Sequence, residues 1–465
     1  MKNNLLLLAV FSLLINSLSV AQQSFKLPPF DQFKLPNGLT IYLMEQHEVP
    51  LINVAGIFPA GAVYDGEKSG LASLTAACLS SGTKKFTKKQ IDEELDFIGA
   101  SINIFSSKEN SSLSSRFASK DQDKIFGMIQ SVLTEPAFDK DEFEKEKKRK
   151  LTALERATES PRSVQQNYWD KLIYADHVYA NPTAGTAAGV GKLTRDDLMA
   201  FYANHYIPEG SSIAIVGDFD KKKMKLLVTK LFSTWKSTGP RLPDPASATP
   251  VFPPAGKVLL VNKEDARETT LLIGGKGVKK NNPDAVALEV VNTVFGGRFT
   301  SMLNDALRVS SGLTYGAGSN FSSLKNGGSF YISTFTATKS TEPTIDMALD
   351  VLKKLHKDGL DEETLTSAKN YVKGQFPPRY ETSGQLANWL NTMFWYKLEP
   401  SFINNFQKEV DDLTTAKARE IINKYYPENN LQFVLIGKSA DIKKIAGKYG
   451  PVTETQIKGD KLRAF

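Results

Sequence analysis

Apolar residues recur along the chain with two different periods, which predict strands and helices in alternation. Runs of apolar residues at 38–44 and 51–58 predict two strands paired around a turn, and the runs at 257–262 and 269–274 repeat that pair. Apolar residues at helical spacing predict amphipathic helices in five further stretches, namely 87–98, 139–157, 284–295, 342–355 and 362–373. Strands and long helices therefore alternate through the chain, which favours the α+β class.

One block of sequence occurs twice. Leu193 and Gly217 lie 24 positions apart, and so do Leu413 and Gly437. Each block contains a helix preceded by Thr, a turn that contains Pro, and an apolar strand closed by the Gly. The agreement in order and spacing indicates an internal duplication, so we predict two similar lobes.

A proline-rich segment, 237–256, divides the chain into parts of about equal length. Its prolines are Pro240, Pro243, Pro245, Pro250, Pro253 and Pro254. Because proline fixes φ and lacks an N–H group, we predict an extended, semi-rigid linker held by few contacts. The predicted first lobe is 22–236 and the predicted second lobe is 257–465.

The N-terminus has the three parts of a secretory signal peptide. Lys2 supplies a positive charge, 5–15 is a mostly apolar core, and 19–21 (SVA) offers small residues for cleavage after Ala21. The core is shorter than the ~20 helical residues that span a bilayer. No later segment approaches such a span. We therefore predict a signal peptide at 1–21 and an exported, periplasmic protein without a transmembrane segment.

Composition indicates an ordinary folded protein of 465 residues, with 41% hydrophobic and 23% charged residues. The formal net charge of +7 is a mild excess at this length and does not indicate a nucleic-acid partner. The densest basic run, 145–150, is interleaved with Glu142 and Glu144, which predicts a solvated helix face. Cys78 is the only cysteine, so core packing must hold the exported chain together without an internal disulfide.

Three short segments carry a resemblance to a known family. They are 35–41 (LPNGLTI), 58–64 (FPAGAVY) and 69–72 (SGLA), which predict a strand, a Gly turn and a Ser-capped helix. This opening resembles that of the M16 zinc peptidases, or inverzincins, which include pitrilysin, insulin-degrading enzyme and mitochondrial processing peptidase. The resemblance extends over about 30–442. It implies two duplicated α+β lobes, each a largely antiparallel sheet covered by helices, facing each other around a cavity.

The family's zinc motif is missing. In active members the helix after the Gly carries His-x-x-Glu-His, whose spacing places two imidazoles and the glutamate on one helix face, and a later helix supplies a third, glutamate ligand. An ungapped alignment places Ser73, Ala76 and Ala77 at the motif and Ala153 at the third-ligand position. Glu155 is two positions away, which turns it by ~200° on a helix. We therefore predict no metal ligand, catalytic residue or cofactor in this chain.

The four histidines are too dispersed to replace the motif. None of them forms a pair at ligand spacing, and we interpret each as an ordinary polar residue of the surface or of a turn: His47, His177, His205 and His356. Three Gly pairs lack the context that cradles phosphate and are interpreted as turns. Aromatic residues at 389 and 394–396 are interpreted as packing in the core or between the lobes.

The second half retains two residues with a family role. Arg308 and Tyr315 lie seven positions apart in a Leu-Arg-x-x-x-Gly-Leu-x-Tyr context, as do the substrate-holding Arg and Tyr of the family. The resemblance implies that both reach across a cavity towards a peptide at the zinc. Arg would supply a fixed positive charge and Tyr a phenolic donor for a developing oxyanion. The alternative is that Arg308 caps a helix C-terminus and Tyr315 packs on a strand.

Two functions remain open on this basis. The first is the non-zinc, substrate-binding subunit of a heteromeric zinc peptidase that cuts peptides or unfolded polypeptides. The resemblance then implies an M16 partner with an intact motif and zinc in that partner, as in mitochondrial processing peptidase. The second is a catalytically inactive binding or scaffold protein. Retention of Arg308 and Tyr315 favours the first, and the missing ligands argue against an independent metallopeptidase.

Overall fold

The computed structural model describes residues 25–237, 239–240 and 242–457, and the predicted signal peptide lies outside the described residues. Each half of the described chain forms one six-stranded sheet. The first sheet contains β1 (Asp31–Lys34), β2 (Thr40–Glu45), β3 (Leu51–Phe58), β4 (Ser101–Ser106), β5 (Ser111–Ala118) and β6 (Ser212–Gly217). The second contains β7 (Val258–Asn262), β8 (Glu268–Lys276), β9 (Ala317–Ser323), β10 (Gly328–Ala337), β11 (Gln432–Gly437) and β12 (Val452–Gln456).

The strand order corrects one prediction. β2 and β3 do not pair with each other, because β6 lies between them, parallel to β2 and antiparallel to β3. Ala214 of β6 is opposite both Tyr42 and Ala55. Every residue of β6 is buried, and such a continuously apolar strand is stable only at the centre of a covered sheet. The last strand of the lobe therefore inserts into the pair that the sequence predicted.

The second sheet repeats this arrangement. β11, also buried throughout, lies between β7 and β8, parallel to the first and antiparallel to the second. In both sheets the remaining neighbours are antiparallel except β7 and β12. This confirms two duplicated α+β lobes with largely antiparallel sheets. Gly217, which closes the first repeat, has φ +145, and a Cβ there would lie 2.1 Å from the Leu51 carbonyl oxygen, so that position requires glycine.

Helices cover both sheets. Those of the first lobe are α1 (Leu71–Leu79), α2 (Lys88–Ile98), α3 (Gln122–Thr134), α4 (Lys140–Ala157), α5 (Pro161–Tyr174), α6 (Ala187–Lys192), α7 (Arg195–His205) and α8 (Lys221–Phe232). Those of the second are α9 (Ala285–Asn292), α10 (Met302–Asn304), α11 (Thr341–Asp358), α12 (Glu362–Gln375), α13 (Ser383–Tyr396), α14 (Ser401–Asn404), α15 (Phe406–Asp412), α16 (Thr415–Tyr425) and α17 (Ser439–Ala446). None of the helices in the described part of the chain has the length and apolar character needed to cross a bilayer.

Each lobe places one helix on the sheet of the other. α5 of the first lobe packs on β8 and β11, and α13 of the second packs on β3 and β6. Trp169 of α5, fully buried, donates to the Ser329 hydroxyl at 3.0 Å, and Ser212 donates to the Asn391 side chain of α13 at 2.6 Å. On α13 itself, Trp395 is buried and Trp389 and Phe394 pack against the core of the second lobe, which confirms the predicted packing role of these aromatic residues. An open cleft of about 460 Å³ remains between the α4–α5 turn and residues 263–270.

The proline-rich segment contains neither helix nor strand in its described residues, but it is not loosely held. Its Ala246 carbonyl accepts a hydrogen bond from Asn326 at 2.7 Å, and its Ala248 carbonyl lies 3.1 Å from the His177 ring nitrogen. The ring of Phe252 packs 6.0 Å from that of Tyr174. The prediction of few contacts is therefore wrong, because the segment follows the surface of both lobes.

Candidate functional site

Helices α1 and α4 pack against each other, and they carry the positions that the sequence alignment assigns to the family's three zinc ligands and its catalytic glutamate. Most of α1 faces the core, and Ala76 is buried. Ser73 and Ala77, one turn apart, are partly exposed on its outer face, and Ala153 of α4 is exposed. The three ligand positions, Ser73, Ala77 and Ala153, are therefore all at least partly exposed on two helices that pack against each other.

Lys150 lies one helical turn before Ala153. Its amino group donates a hydrogen bond to the Ser73 hydroxyl. Partial burial lowers the pKa of this amino group, because the ammonium loses hydration, and the nearby Asp65 carboxylate acts in the opposite direction. Ser73 is the only one of the four replaced positions whose side chain carries a heteroatom, and its hydroxyl is already hydrogen-bonded to the Lys150 amine.

Asp65 closes the N-terminus of α1. Its two carboxylate oxygens accept the N–H groups of Gly70 at 2.7 Å and of Ala72 at 2.8 Å. Asp65 is 3% exposed, and burial raises the pKa of its carboxyl to about 7 although both N–H groups act to lower it. The Ser69 hydroxyl has no hydrogen-bond partner in the described structure. The predicted Ser cap is wrong, because a carboxylate with two acceptor oxygens binds two helix N–H groups at once.

These positions do not fit a zinc ion. Catalytic zinc takes three imidazole, thiolate or carboxylate ligands, whereas Ser73 offers one hydroxyl that already accepts from Lys150. An open cleft of about 640 Å³ beside Ala153 is lined by four basic side chains and no acidic one: Lys145, Lys148, Arg149 and Arg156. Within the described ranges, no three His, Cys, Asp or Glu side chains come together in a metal-binding group.

The basic run on α4 is a solvated helix face, as predicted, at Lys145, Lys148 and Arg149, whereas Lys147 and Lys150 are partly buried. Lys145 pairs with Glu142 at 2.7 Å and Arg149 with Glu146 at 2.8 Å, each one helical turn apart. The histidines are less uniform than the sequence suggested. His205 is buried, its ring centroid lies 4.3 Å from that of Tyr64, and burial lowers the pKa of its imidazole to about 4. It is a core residue, so the interpretation of His205 as a surface or turn residue is wrong.

Arg308 and Tyr315 both lie in the segment of the second lobe that leads into β9. Arg308 is on the π-helical turn Asp305–Ser310, with its guanidinium 4.7 Å from the centroid of the Phe299 ring. Tyr315 is 82% exposed. Neither side chain forms a hydrogen bond or ion pair with any described residue. The exposure of Tyr315 argues against packing on a strand, whereas Arg308 does lie in the last turn of a helix, as the alternative expects.

The loop that presents Tyr315 is well anchored. The N–H of Leu313 bonds to the Leu307 carbonyl at 2.9 Å, and the Thr336 hydroxyl donates to the Leu313 carbonyl at 2.7 Å. Thr334 holds the Gly316 carbonyl at 3.0 Å on the other side of the tyrosine. The backbone on both sides is therefore fixed while the phenol projects into solvent.

Two further apolar side chains are exposed beside Arg308, one stacked on its guanidinium and one next to it in the chain, and sequence reasoning missed both. Phe299 is 63% exposed and Val309 is 64% exposed. We define Phe299, Arg308, Val309 and Tyr315 as the Arg–Tyr patch. Aromatic residues and arginine dominate the energetic centres of binding surfaces, so this composition favours a polypeptide ligand. The sequence signal that could have indicated Phe299 is its position two residues after the Gly296–Gly297 pair.

Both sheets end in an unpaired edge strand. β4 is the edge of the first sheet and lies against α1, and β9 is the edge of the second and follows directly on Tyr315. Such edges present free N–H and C=O groups to an extended chain. The replaced metal positions and the Arg–Tyr patch lie in different lobes, and no hydrogen bond, ion pair or ring contact joins them in the described residues.

Fold and site together define a peptidase-like chain of two duplicated lobes whose metal positions are replaced. Residues 41–187 match the family described as insulinase (peptidase family M16), and residues 192–372 match the peptidase M16 inactive domain. The chain therefore belongs to the M16 peptidase family, and it is a member of the inactive type. This confirms the family that the sequence resembles.

Several relatives are similar to this chain over most of their length. An uncharacterized zinc protease of Rickettsia bellii is 27% identical over 336 residues, which cover 72% of this chain and 80% of the relative. A non-peptidase homolog, YmxG, of Helicobacter pylori is 24% identical over 411 residues, 87% of this chain and 92% of the relative. The solved structure of a peptidase M16 inactive domain from Pseudomonas fluorescens has a TM-score of 0.82 at 24% identity, covering 88% of this chain and 98% of that one. At this identity the structural likeness shows the fold.

Proposed function

We propose that this chain is the exported, non-zinc subunit of a heteromeric zinc peptidase and that it binds the substrate of that enzyme. The observation that carries the proposal is an asymmetry. The three ligand positions and the position of the catalytic glutamate are all replaced, with Lys150 bonded to Ser73. Arg308 and Tyr315 are retained, Tyr315 is exposed, and the partly exposed Arg308 guanidinium contacts the Phe299 ring.

The chemistry of the Arg–Tyr patch suits a peptide that is cut at a partner's zinc centre. A guanidinium carries a fixed positive charge and a phenol donates one hydrogen bond, and both stabilise a carbonyl oxygen that becomes an oxyanion. Tyr315 needs no rearrangement to reach a second chain, because it already projects from an anchored loop. The patch contributes binding and electrostatic stabilisation, and the partner contributes the metal.

The edge strand β9 gives such a substrate a place to bind. It begins at Ala317, two residues after Tyr315, and runs for seven residues. A peptide added to this edge would form main-chain hydrogen bonds, which tolerate many sequences. This favours unfolded or short polypeptides as substrates, since most strands of a folded protein are already paired within its own sheets.

The partner can be identified directly. The mature chain, tagged at its C-terminus in its native host, is expected to co-purify with an M16 chain of similar length that carries an intact His-x-x-Glu-His motif. The pair should cleave peptides and lose that activity to a chelator. N-terminal sequencing of the purified chain should begin at Gln22 if it is exported as proposed.

Two results would contradict the proposal. Recovery of the chain as a stable assembly with partners that lack the motif would make it a scaffold protein of the same fold. Recovery with Met1 still in place would overturn export alone and leave the subunit role standing.

A further inference from the structure

A cavity of about 290 Å³ opens in the second lobe between α9, the edge strand β9 and the segment that leads into α13. This volume is close to the ~300 Å³ lower end of small-ligand pockets. Its walls are mostly apolar and aromatic, and they include Val286, Phe321, Tyr380, Trp389, Phe402 and Phe406. The cavity therefore fits one apolar residue rather than a long segment.

The polar end of the cavity carries an unbalanced positive charge. Glu289 and Arg379 neutralise each other through an ion pair of 2.6 Å. Lys280, the remaining charged group that is partly buried there, forms no ion pair or hydrogen bond through its amino group with any described residue. Burial lowers the pKa of Lys280, since its ammonium is desolvated, and Glu289 acts weakly in the opposite direction. An anion in the cavity would supply the missing partner.

We propose that this cavity binds the C-terminal residue of a peptide, with an apolar side chain against the aromatic walls and the terminal carboxylate at Lys280. The aromatic walls select a large apolar side chain by burial. The ammonium selects the free carboxylate, because a charge-assisted hydrogen bond is stronger than a neutral one. The two requirements act on the same residue, so neither an internal apolar residue nor an amidated terminus satisfies both.

The position of the cavity gives it a role that rests on the proposed function. Phe321, which lines the cavity, is the fifth residue of β9 and lies six positions after Tyr315. Six residues of extended chain span at most ~20 Å at ~3.3 Å per residue. A peptide anchored by its C-terminus and paired along β9 would therefore place a bond about six residues from its end at the Arg–Tyr patch.

Calorimetric titration of the mature chain alone tests the binding step. The ligands are an acetylated hexapeptide that ends in Phe with a free carboxylate, the same peptide with a C-terminal amide, and 3-phenylpropionate. We expect the acid to bind, and we expect amidation or Lys280→Met to weaken its binding about ten- to a hundredfold, the usual effect of losing a charged hydrogen bond. Lys354→Met removes an exposed lysine of α11 that does not line the cavity, and it should leave the affinity unchanged.

The titration has outcomes that would contradict the proposed binding of a peptide C-terminus. Equal binding of acid and amide, retention of the preference in Lys280→Met, or no heat at millimolar peptide would overturn the carboxylate site. Binding of 3-phenylpropionate as tight as that of the peptide would show that the cavity takes a free aromatic acid, and peptide anchoring would be wrong. Because no partner is present, these results stand apart from the search for a zinc-bearing chain.

Discussion

The amino group of Lys150 donates a hydrogen bond to the hydroxyl of Ser73, and this contact joins the two helices between which active M16 peptidases hold their metal. Ser73 stands at the position of the first motif histidine, and Lys150 lies one turn from Ala153 at the third-ligand position. The chain therefore lacks the ligands and also holds a basic group beside the place where a metal cation would have to sit. Restoration of the ligands alone should not restore the site.

This leads to a first prediction about metal affinity. Purified chain should contain no stoichiometric zinc by metal analysis, and a variant with Ser73→His, Ala76→Glu, Ala77→His and Ala153→Glu should bind zinc poorly. Addition of Lys150→Met to that variant should strengthen zinc binding by at least about tenfold, because unit charges ~5 Å apart repel by roughly 3 kcal/mol at an effective dielectric constant of ~20. Competition with a chromogenic chelator measures the affinity.

The matched control is Lys148→Met in the same fourfold variant. Lys148 is exposed and lies two residues earlier on α4, and its ammonium is solvated. Equal zinc affinity with and without Lys150 would show that the amine moves aside at no cost.

A second prediction concerns the pH dependence of stability. Burial raises the pKa of Asp65 to about 7, above its ordinary value, so the folded chain holds a proton that the unfolded chain has released. The stabilisation from this proton is complete below the unfolded pKa and is lost as the pH rises through about 7. Between pH 5 and pH 8, the free energy of unfolding of the unmodified chain should fall by about 2–3 kcal/mol relative to Asp65→Asn.

Urea denaturation of both proteins at the two pH values measures this difference. Asp139→Asn is the control, because Asp139 caps α4 through the N–H groups of Asp141 and Glu142 at an exposed site. The free energy of unfolding of Asp139→Asn should differ from that of the unmodified chain by the same amount at pH 5 and at pH 8. If the free energy of unfolding of Asp65→Asn also differed from that of the unmodified chain by the same amount at both pH values, Asp65 would be ionised in the folded chain.

Glu109 supports a third prediction, about the contact between the lobes. It is 4% exposed in the β4–β5 turn of the first lobe, and it accepts hydrogen bonds from the hydroxyls of Tyr179 and Tyr396 and from the N–H of Lys325. Tyr396 and Lys325 belong to the second lobe. Glu109→Ala should therefore lower the free energy of unfolding by about 2–4 kcal/mol, since each buried donor left unpaired costs roughly 1–3 kcal/mol.

Scanning calorimetry measures this loss of stability. Glu109→Gln should destabilise the chain less than Glu109→Ala, because the amide oxygen of glutamine can still accept a hydrogen bond. Glu67→Ala, at an exposed position, should change stability by no more than about 0.5 kcal/mol. If the Glu109→Ala chain melts like the Glu67→Ala chain, the carboxylate does not hold the lobes together.

Features with local causes could be predicted from the sequence. Thr194 and Thr414 begin their helices with side-chain caps, as the repeated block predicts, because a cap depends on residues three positions apart. The central position of β6 could not be predicted, since the pattern at 212–216 specifies a buried strand without specifying its neighbours. The partnership of Lys150 with Ser73 spans 77 positions and no local pattern contains it.

The candidate site also combines features that a local sequence pattern predicts with features that only the fold brings together. Arg308 and Tyr315 could be found because the family spacing is local to one turn and one loop. Phe299 joins them only because the chain folds back after α9 and brings its ring under the Arg308 guanidinium. The interpretation of His205 failed for a related reason: the ring packs against Tyr64, which lies 141 positions away and is brought to it by the fold.

The last prediction is that Arg308 and Tyr315 act at the metal centre of a partner. In the reconstituted pair, Arg308→Ala or Tyr315→Phe should lower the turnover of a fluorogenic peptide by ~10²–10³, the usual effect of losing one oxyanion donor. Folding and assembly should be unchanged, because neither side chain has an internal hydrogen bond and Tyr315 is 82% exposed. Tyr371→Phe and Arg267→Ala remove a phenol and a guanidinium at other exposed positions of the same lobe and should leave turnover unchanged. The size of the complex is confirmed by gel filtration before each assay. Loss of assembly in the Arg308 and Tyr315 variants would make the Arg–Tyr patch a subunit interface, and full turnover with normal assembly would leave this chain as a scaffold.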